Sequence, residues 1–160
     1  MSERGLDPQT TTVSFDQPFP IDSLSAEGFE RFCYFFISAL NPTADVHRFG
    51  GTGHKQDGLD IEAVMQDRTI RTYQCKRHKE FGAAKVEAAV KAHVRHADKK
   101  VLLLTRIASP QARDAIAVHP DWELWDKEDV AKRIRQLSKS EQIRLRSEEH
   151  TSELQSRQSI

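Results

Sequence analysis

The sequence predicts an α/β fold in which helices cover both faces of a mixed β-sheet. Three observations support it: helical periodicity in several segments, short strand-like runs between them, and the order in which the two kinds alternate. The chain has 160 residues, of which 38% are hydrophobic, enough for one core of ordinary size. We therefore expect a single α/β/α sandwich domain.

The first half of this domain is predicted to be a helix followed by a β-hairpin. Residues 25–40 have apolar side chains every three or four positions, with Ser25 suited to the N-cap and Pro42 beyond the end. Residues 59–65 and 69–76 alternate apolar with polar side chains, which indicates two strands that turn at residues 66–68. The preceding segment, FGGTGHKQDG, is too rich in glycine for regular structure.

The second half is predicted to alternate helices with strands. Helices are expected over residues 83–96, 110–118 and 127–137, and strands over residues 101–105 and 122–125. We expect residues 1–21 to be a flexible arm and residues 22–145 to form the domain. Residues 146–156 read RSEEHTSELQS, the string that translation of a common sequencing adapter gives. Residues 146–160 are therefore predicted to be an artefactual or disordered tail that replaces a C-terminal module.

Composition limits the classes of function. Lys plus Arg and Asp plus Glu number 24 each, so the net charge gives no reason to expect a polyanionic partner. The two cysteines, Cys33 and Cys75, lack metal-ligand spacing and fit a reducing compartment. No apolar run is long enough to cross a membrane, and the N-terminus lacks the plan of a signal peptide. These features predict a cytoplasmic protein without a membrane partner.

The predicted hairpin brings together groups suited to hydrolysing a phosphodiester. Because side chains alternate along a strand, Asp60 shares a face with Glu62, while Gln74 and Lys76 share a face on the partner strand. An acid, an amide oxygen and an ammonium can therefore converge. Such groups can hold a hard divalent cation and position a water molecule. Taken alone, the same residues are also typical of a solvated hairpin face.

These motifs resemble the PD-(D/E)xK nucleases, and among them the Mrr-like restriction endonucleases. The likeness rests on GGTGHKQDGLD leading to Asp60, on QCK supplying Gln74 and Lys76, and on Glu30 within GFERF of the first helix. It covers residues 22–138 and implies a restriction-endonuclease-like fold with a central mixed sheet. It also implies a DNA endonuclease that serves as the effector domain of a restriction or anti-phage defence protein.

The resemblance also implies roles for individual residues. Asp60, the Gln74 amide oxygen and the backbone carbonyl of Cys75 would ligate Mg²⁺, with Mn²⁺ as the alternative ion. Lys76 would orient the attacking water and help to deprotonate it, and Glu30 would complete the catalytic set. Since Gln stands where many relatives have Asp or Glu, we expect weaker metal affinity.

Local charge favours a polyanionic substrate, and the substrate expected with the resemblance is double-stranded DNA. Between Arg68 and Arg106 the chain has eleven Lys or Arg residues and three acids, a basic segment next to the proposed site. RNA stays open, because this chemistry does not distinguish the sugars without a 2′-OH contact. Cutting both strands usually requires two active sites, so a homo-oligomer is a further expectation.

Two other classes of function remain open at this stage. One is a catalytically silent nucleic-acid-binding module of the same fold, since Gln74 leaves the site short of charge. The other is an interaction domain without nucleic-acid binding. His47, His54 and His78 flank the site and are interpreted as surface residues, because no ligand spacing links them. Cys75 is predicted to point into the core, away from Gln74 and Lys76.

Overall fold

The computed structural model describes residues 19–48, 58–78 and 80–147. The helices are α1 (Ala26–Leu40), α2 (Ala83–Ala92), α3 (Pro110–Ala117) and α4 (Lys127–Arg135). The strands are β1 (Asp45–Arg48), β2 (Gly58–Val64), β3 (Ile70–Lys76), β4 (Lys99–Leu104) and β5 (Trp122–Trp125). A 3₁₀ turn, Ile21–Ser23, precedes α1, and residues 139–147 are also helical.

The strands form one mixed sheet in the order β1-β2-β3-β4-β5. β1, β2 and β3 are antiparallel neighbours, whereas β3, β4 and β5 are parallel. Helices α1 and α4 pack on one face of the sheet and α2 and α3 on the other, with a separate apolar cluster under each pair. The predicted α/β/α sandwich with a mixed sheet is thereby confirmed.

Helix α1 begins where the sequence predicts. The Ser25 side chain accepts a hydrogen bond from the Gly28 amide at 3.0 Å, which satisfies one of the unpaired donors of the first turn. The apolar residues of α1 form a stripe on the sheet, where Phe32 stacks on Phe36 with ring centroids 5.4 Å apart. The ring centroid of Phe19 lies 4.7 Å from that of Phe32, so Phe19 also stacks on Phe32.

The β2–β3 hairpin turns at the predicted residues. The Asp67 carboxylate accepts hydrogen bonds from the amide of Thr69 at 3.0 Å and from its hydroxyl at 2.6 Å. Arg68 adopts a left-handed conformation with φ of 72°. Strand β1 was not predicted, because four residues on a sheet edge give too short a pattern to stand out from the adjoining loop.

Helix α2 ends at Ala92, four residues before its predicted end. His93 is the C-cap residue, and the six residues 93–98 connect α2 to β4. The predicted helix was too long because residues 83–96, AAKVEAAVKAHVRH, contain no Gly or Pro to mark a stop. The following elements, α3, β5 and α4, begin at their predicted residues.

Core packing extends beyond the expected N-terminal limit of the domain and reaches its expected C-terminal limit, Leu145. Phe19 and Ile21 are buried in the cluster under α1, and Leu145, in the helical residues 139–147, belongs to the same cluster. Residues 1–18 of the expected arm and 148–160 of the expected tail lie outside the described residues. Within the described part of the chain, no helix is long and apolar enough to span a bilayer.

The burial of Leu145 predicts that the C-terminal helical segment stabilises the domain. Leu145→Ala should lower the free energy of unfolding by about 2–4 kcal/mol, because it leaves a cavity against the core. Ile143→Ala, in the same helical segment but 52% exposed, should change it by less than about 0.5 kcal/mol. Urea denaturation measures both changes, and equal effects would contradict the packing.

Candidate active site

The predicted site lies on the sheet face that is covered by α2 and α3. In the register of β2 with β3, Asp60 is directly opposite Gln74, and Glu62 is opposite Thr72. On the next strand, β4, Leu102 pairs with Gln74 and Lys100 pairs with Thr72. The alternation therefore places the acids and the amide on one face, as the sequence predicts.

Asp60 is partly buried, and two basic side chains influence it. Burial raises the pKa of its carboxyl above the ordinary value, while the charges of Lys76 and His93 oppose that rise. A carboxylate that is held in a partly desolvated site gains more from a cation than one in water does. The surroundings of Asp60 thus favour a positively charged ligand.

Gln74 is almost fully buried, with 7% of its surface exposed. Its Oε1 atom is buried and makes no hydrogen bond with any described residue. An unsatisfied buried carbonyl oxygen costs about 1–3 kcal/mol relative to a paired one. The atom therefore has an unmet need for a donor or a cation, directly across from Asp60.

Lys76 is the last residue of β3 and pairs with Gly58 at the end of the hairpin. It lies on the same face as Gln74, two residues further along the strand. The next residue, Arg77, donates a hydrogen bond to the carbonyl of Leu24 at 3.2 Å. That bond ties the end of β3 to the segment that precedes α1 and fixes where Lys76 leaves the sheet.

Glu30 lies on α1, and its carboxylate forms an ion pair with Arg48 of β1 at 3.1 Å. Both side chains are substantially exposed, at 41% and 54%. The groups that shift the pKa of Asp60 are Lys76 and His93, and Glu30 is not among them. The described contacts therefore join Glu30 to the β1 edge, and its participation in the site stays a prediction.

The Cys75 side chain points away from the site, as predicted. It is fully buried in the cluster under α1, where it lies beside Cys33. Burial, with the neighbouring Cys75 thiol as a further cause, raises the pKa of Cys33 well above the usual value. Both thiols are reduced and packed in the core, so Cys75 can contribute only its backbone to the site.

His93 is a site neighbour that the sequence did not indicate. Its Nε2 atom lies 2.9 Å from the Thr72 hydroxyl, and its ring makes an edge contact with Trp122 at 5.3 Å. Burial, followed by the charge of Lys100, lowers the pKa of His93. A single histidine in a helix predicted to run to residue 96 carries no pattern, so only the end of α2 at Ala92 reveals its position.

Glu62 is held by Arg95 and His47 on the same face. Arg95 donates to both carboxylate oxygens, at 2.7 and 3.3 Å, and His47 lies 3.1 Å from one of them. The hydrogen bond from Arg95 is the main cause of a lowered pKa for Glu62. The hydrogen bonds from Arg95 to Glu62 anchor the connection between α2 and β4 to strand β2. His47 has Glu62 as its structural partner.

The basic segment predicted from the sequence does not form one continuous face. Arg71 and Lys99 are paired at the start of β3 and β4, whereas Lys76 lies at the far end of β3. At about 3.3 Å per residue, Arg71 and Lys76 are roughly 16 Å apart along the strand. Lys99 and Lys100 also form ion pairs, both at 2.9 Å, with Glu123 and Asp121.

The described residues offer a small set of oxygen donors to a metal ion. They contain no group of three or more His, Cys, Asp or Glu side chains arranged to hold a metal ion. What they offer is an Asp60 carboxylate and the unpaired Gln74 Oε1 on adjacent strands. Mg²⁺ is commonly bound by one or two protein oxygens together with water and substrate phosphate, so this donor set fits it.

The fold matches that of a known nuclease. The solved structure of the MspJI restriction endonuclease in complex with a 27-mer oligonucleotide aligns with a TM-score of 0.50 and 16% sequence identity. The alignment covers 76% of this chain but 31% of that one, so this chain spans under a third of the MspJI chain. A restriction-endonuclease-like fold follows. No curated protein matches the sequence.

The family follows from the sequence match. Residues 21–134 match the restriction endonuclease family Mrr_cat, which is more than half of the chain. The chain therefore belongs to the Mrr catalytic family of restriction endonucleases. The matched residues include Asp60, Gln74, Lys76 and Glu30, and the predicted family resemblance is confirmed.

The Glu62 cluster predicts a pH-dependent stability. Because the folded-state pKa of Glu62 is lowered, its contribution is present above its ordinary pKa of about 4.3 and is lost as the pH falls through the folded value. Glu62→Gln should cost about 1–3 kcal/mol at neutral pH, since the charged hydrogen bonds are lost. Unfolding free energies should then converge with wild type as the pH falls below the folded-state pKa of Glu62.

Glu87→Gln is the matched control, because this exposed glutamate contacts only His119, at 3.4 Å, among the described ion pairs. Its unfolding curves should follow wild type at every pH. A constant gap between Glu62→Gln and wild type down to acid pH would show that the lowered pKa does not contribute.

Proposed function

We propose that this domain is a Mg²⁺-dependent endonuclease that hydrolyses phosphodiester bonds in double-stranded DNA. The observation that carries the proposal is the cross-strand pairing of Asp60 with Gln74, whose buried Oε1 makes no hydrogen bond within the described part of the chain. A carboxylate and an unsatisfied carbonyl oxygen on adjacent strands are hard donors of the kind that Mg²⁺ takes. Membership of a restriction endonuclease family supports the reaction class.

In this proposal Asp60, Gln74 and the carbonyl of Cys75 hold the ion. When bound, the cation neutralises charge that develops on the phosphate in the transition state. The residues of the chain must supply the rest of the catalysis. Hydrolysis joins the oxygen of water to phosphorus and breaks one ester P–O bond. The residues must hold the water in the orientation that attack on phosphorus requires.

Lys76 is the residue proposed to orient the water. Its ammonium has three donors and no acceptor, so it can hold the water oxygen and stabilise negative charge on the phosphate. Lys76 is the last residue of β3, two positions after Gln74. Glu30 would contribute only after its ion pair with Arg48 is exchanged for a site contact.

Double-stranded DNA is proposed because the MspJI structure of the same fold contains a bound oligonucleotide. Restriction or anti-phage defence is the proposed context, and a C-terminal module and a homo-oligomer are proposed for the natural protein.

The silent DNA-binding module is the second candidate. It is favoured by one observation: Gln74 is uncharged, so the site contributes one carboxylate where a second acid would strengthen metal binding.

Cleavage of supercoiled plasmid tests the function. Wild type should nick or linearise plasmid with Mg²⁺ or Mn²⁺ and lose that activity in chelator. Asp60→Ala and Lys76→Ala should each reduce the rate by at least about 100-fold, because each removes a group that acts on the transition state. Gel quantification of nicked and linear products gives the rates.

Matched controls exclude a general loss of folding. Asp114→Ala and Lys91→Ala remove exposed charges of the same type from α3 and α2 and should cleave at the wild-type rate. Metal-independent binding of DNA with no cleavage by wild type would instead establish the silent module.

Gln74 itself gives a prediction about metal affinity. Gln74→Glu should bind Mn²⁺ about ten times more tightly, because a second carboxylate adds negative charge next to Asp60. Gln74→Leu should bind it more weakly than wild type does. Calorimetric titration measures both without relying on catalysis, and unchanged affinity in both variants would remove Gln74 from the ligand set.

A further inference from the structure

Three basic residues lie at or just after the carboxyl ends of three parallel strands. Lys76 ends β3, and its partner on β4 is Leu104. Arg106 comes two residues after Leu104, and Lys127 comes two residues after the end of β5. Because neighbouring strands are about 4.8 Å apart, the three backbone positions span roughly 10 Å along one edge of the sheet.

The backbone holds Arg106 and Lys127 next to each other. The amide of Lys127 donates a hydrogen bond to the carbonyl of Arg106 at 3.2 Å. The carboxylate of Asp126 also accepts from the amide of Ala108, at 2.9 Å, and this fixes the loop after β4 against the start of α4. The fold therefore sets the backbone positions of Arg106 and Lys127 before any ligand binds.

A cleft of about 820 Å³ opens beside these residues. Its charged lining has four basic and three acidic side chains: Arg106, Lys127, Lys132, Arg135, Asp22, Glu128 and Asp129. One of the acids, Asp129, already forms an ion pair with Arg113 at 2.9 Å. Lys132 and Arg135 extend the positive charge along α4.

Asp22 neutralises the two cations at the sheet edge. One of its carboxylate oxygens lies 3.2 Å from the Lys127 ammonium, and the other lies 4.0 Å from the Arg106 guanidinium. Arg106 remains half exposed, so a phosphate can reach it. Two neighbouring cations that share one oxyanion are also the arrangement in which proteins bind phosphate groups.

We propose that Arg106 and Lys127 form a phosphate-contact subsite for the DNA strand that leads away from the bond to be cleaved, with Asp22 as its intramolecular competitor. The proposal rests on the DNA substrate proposed above. The chemistry that recognises the partner is sequence-independent: two fixed cations bind backbone phosphates and release counterions. Asp22 weakens this contact in the free protein, and DNA displaces it.

Binding of a short DNA duplex in chelator tests the subsite without cleavage. Arg106→Ala and Lys127→Ala should each weaken binding several-fold and lower the steepness of the dependence of log affinity on log salt by about 0.9. Asp22→Asn should tighten binding several-fold, because it removes the competing charge. Fluorescence anisotropy over a range of salt concentrations measures affinity and salt dependence together.

Lys99→Ala is the matched control, since it is another lysine in an ion pair, at 2.9 Å to Glu123, but lies at the opposite end of the parallel strands. It should bind DNA as wild type does. Wild-type affinity and salt dependence in both Arg106→Ala and Lys127→Ala would overturn the subsite, as would weaker binding by Asp22→Asn. Failure of wild type itself to bind DNA at low salt would overturn the proposed function as well.

Discussion

The register between β2 and β3 is the constraint on which the rest of this structure depends. It places Asp60 opposite Gln74, and the same alternation sends Ile61, Tyr73 and Cys75 into the opposite core. A slip of one residue would exchange the two faces of the shifted strand. The acids of β2 or the amide of β3, depending on which strand shifted, would then enter the aromatic cluster under α1, whose apolar side chains do not compensate the desolvation of polar groups. Core packing and site geometry are therefore fixed by the same pairing.

The two faces of the sheet contribute different things to the protein. The face under α1 and α4 is apolar and aromatic, and it also buries residues from before α1 and from residues 139–147. The face under α2 and α3 is apolar on β4 and β5 but polar on β2 and β3. Buried polar groups are costly unless they are paired, so the contacts made by His93 and Arg95 stabilise that polar part. Among the described residues of this polar part, Gln74 Oε1 and His93 Nδ1 are buried without a hydrogen-bond partner, and Gln74 lies at the proposed metal site.

Charge is distributed by position in the fold rather than by position in the sequence. Basic residues that are close in sequence separate to opposite ends of β3 and β4, and several are neutralised by acids. In contrast, Lys76, Arg106 and Lys127 are far apart in sequence but meet at one edge, because parallel strands bring their carboxyl ends together. The polarity of the sheet thus assembles a cationic edge that a count of charges along the chain does not show.

The sequence by itself determined the helix capped by Ser25, the hairpin, the order of the later elements and the face shared by Asp60, Gln74 and Lys76. Each of these depends on local periodicity or on a capping residue, which the sequence displays directly. Only the tertiary structure decided the pairing of Glu30 with Arg48, the position of His93 over Thr72, and the place of Asp22 between Arg106 and Lys127. These contacts join residues 18 to more than 100 positions apart, and no local pattern encodes which of many similar charges will meet.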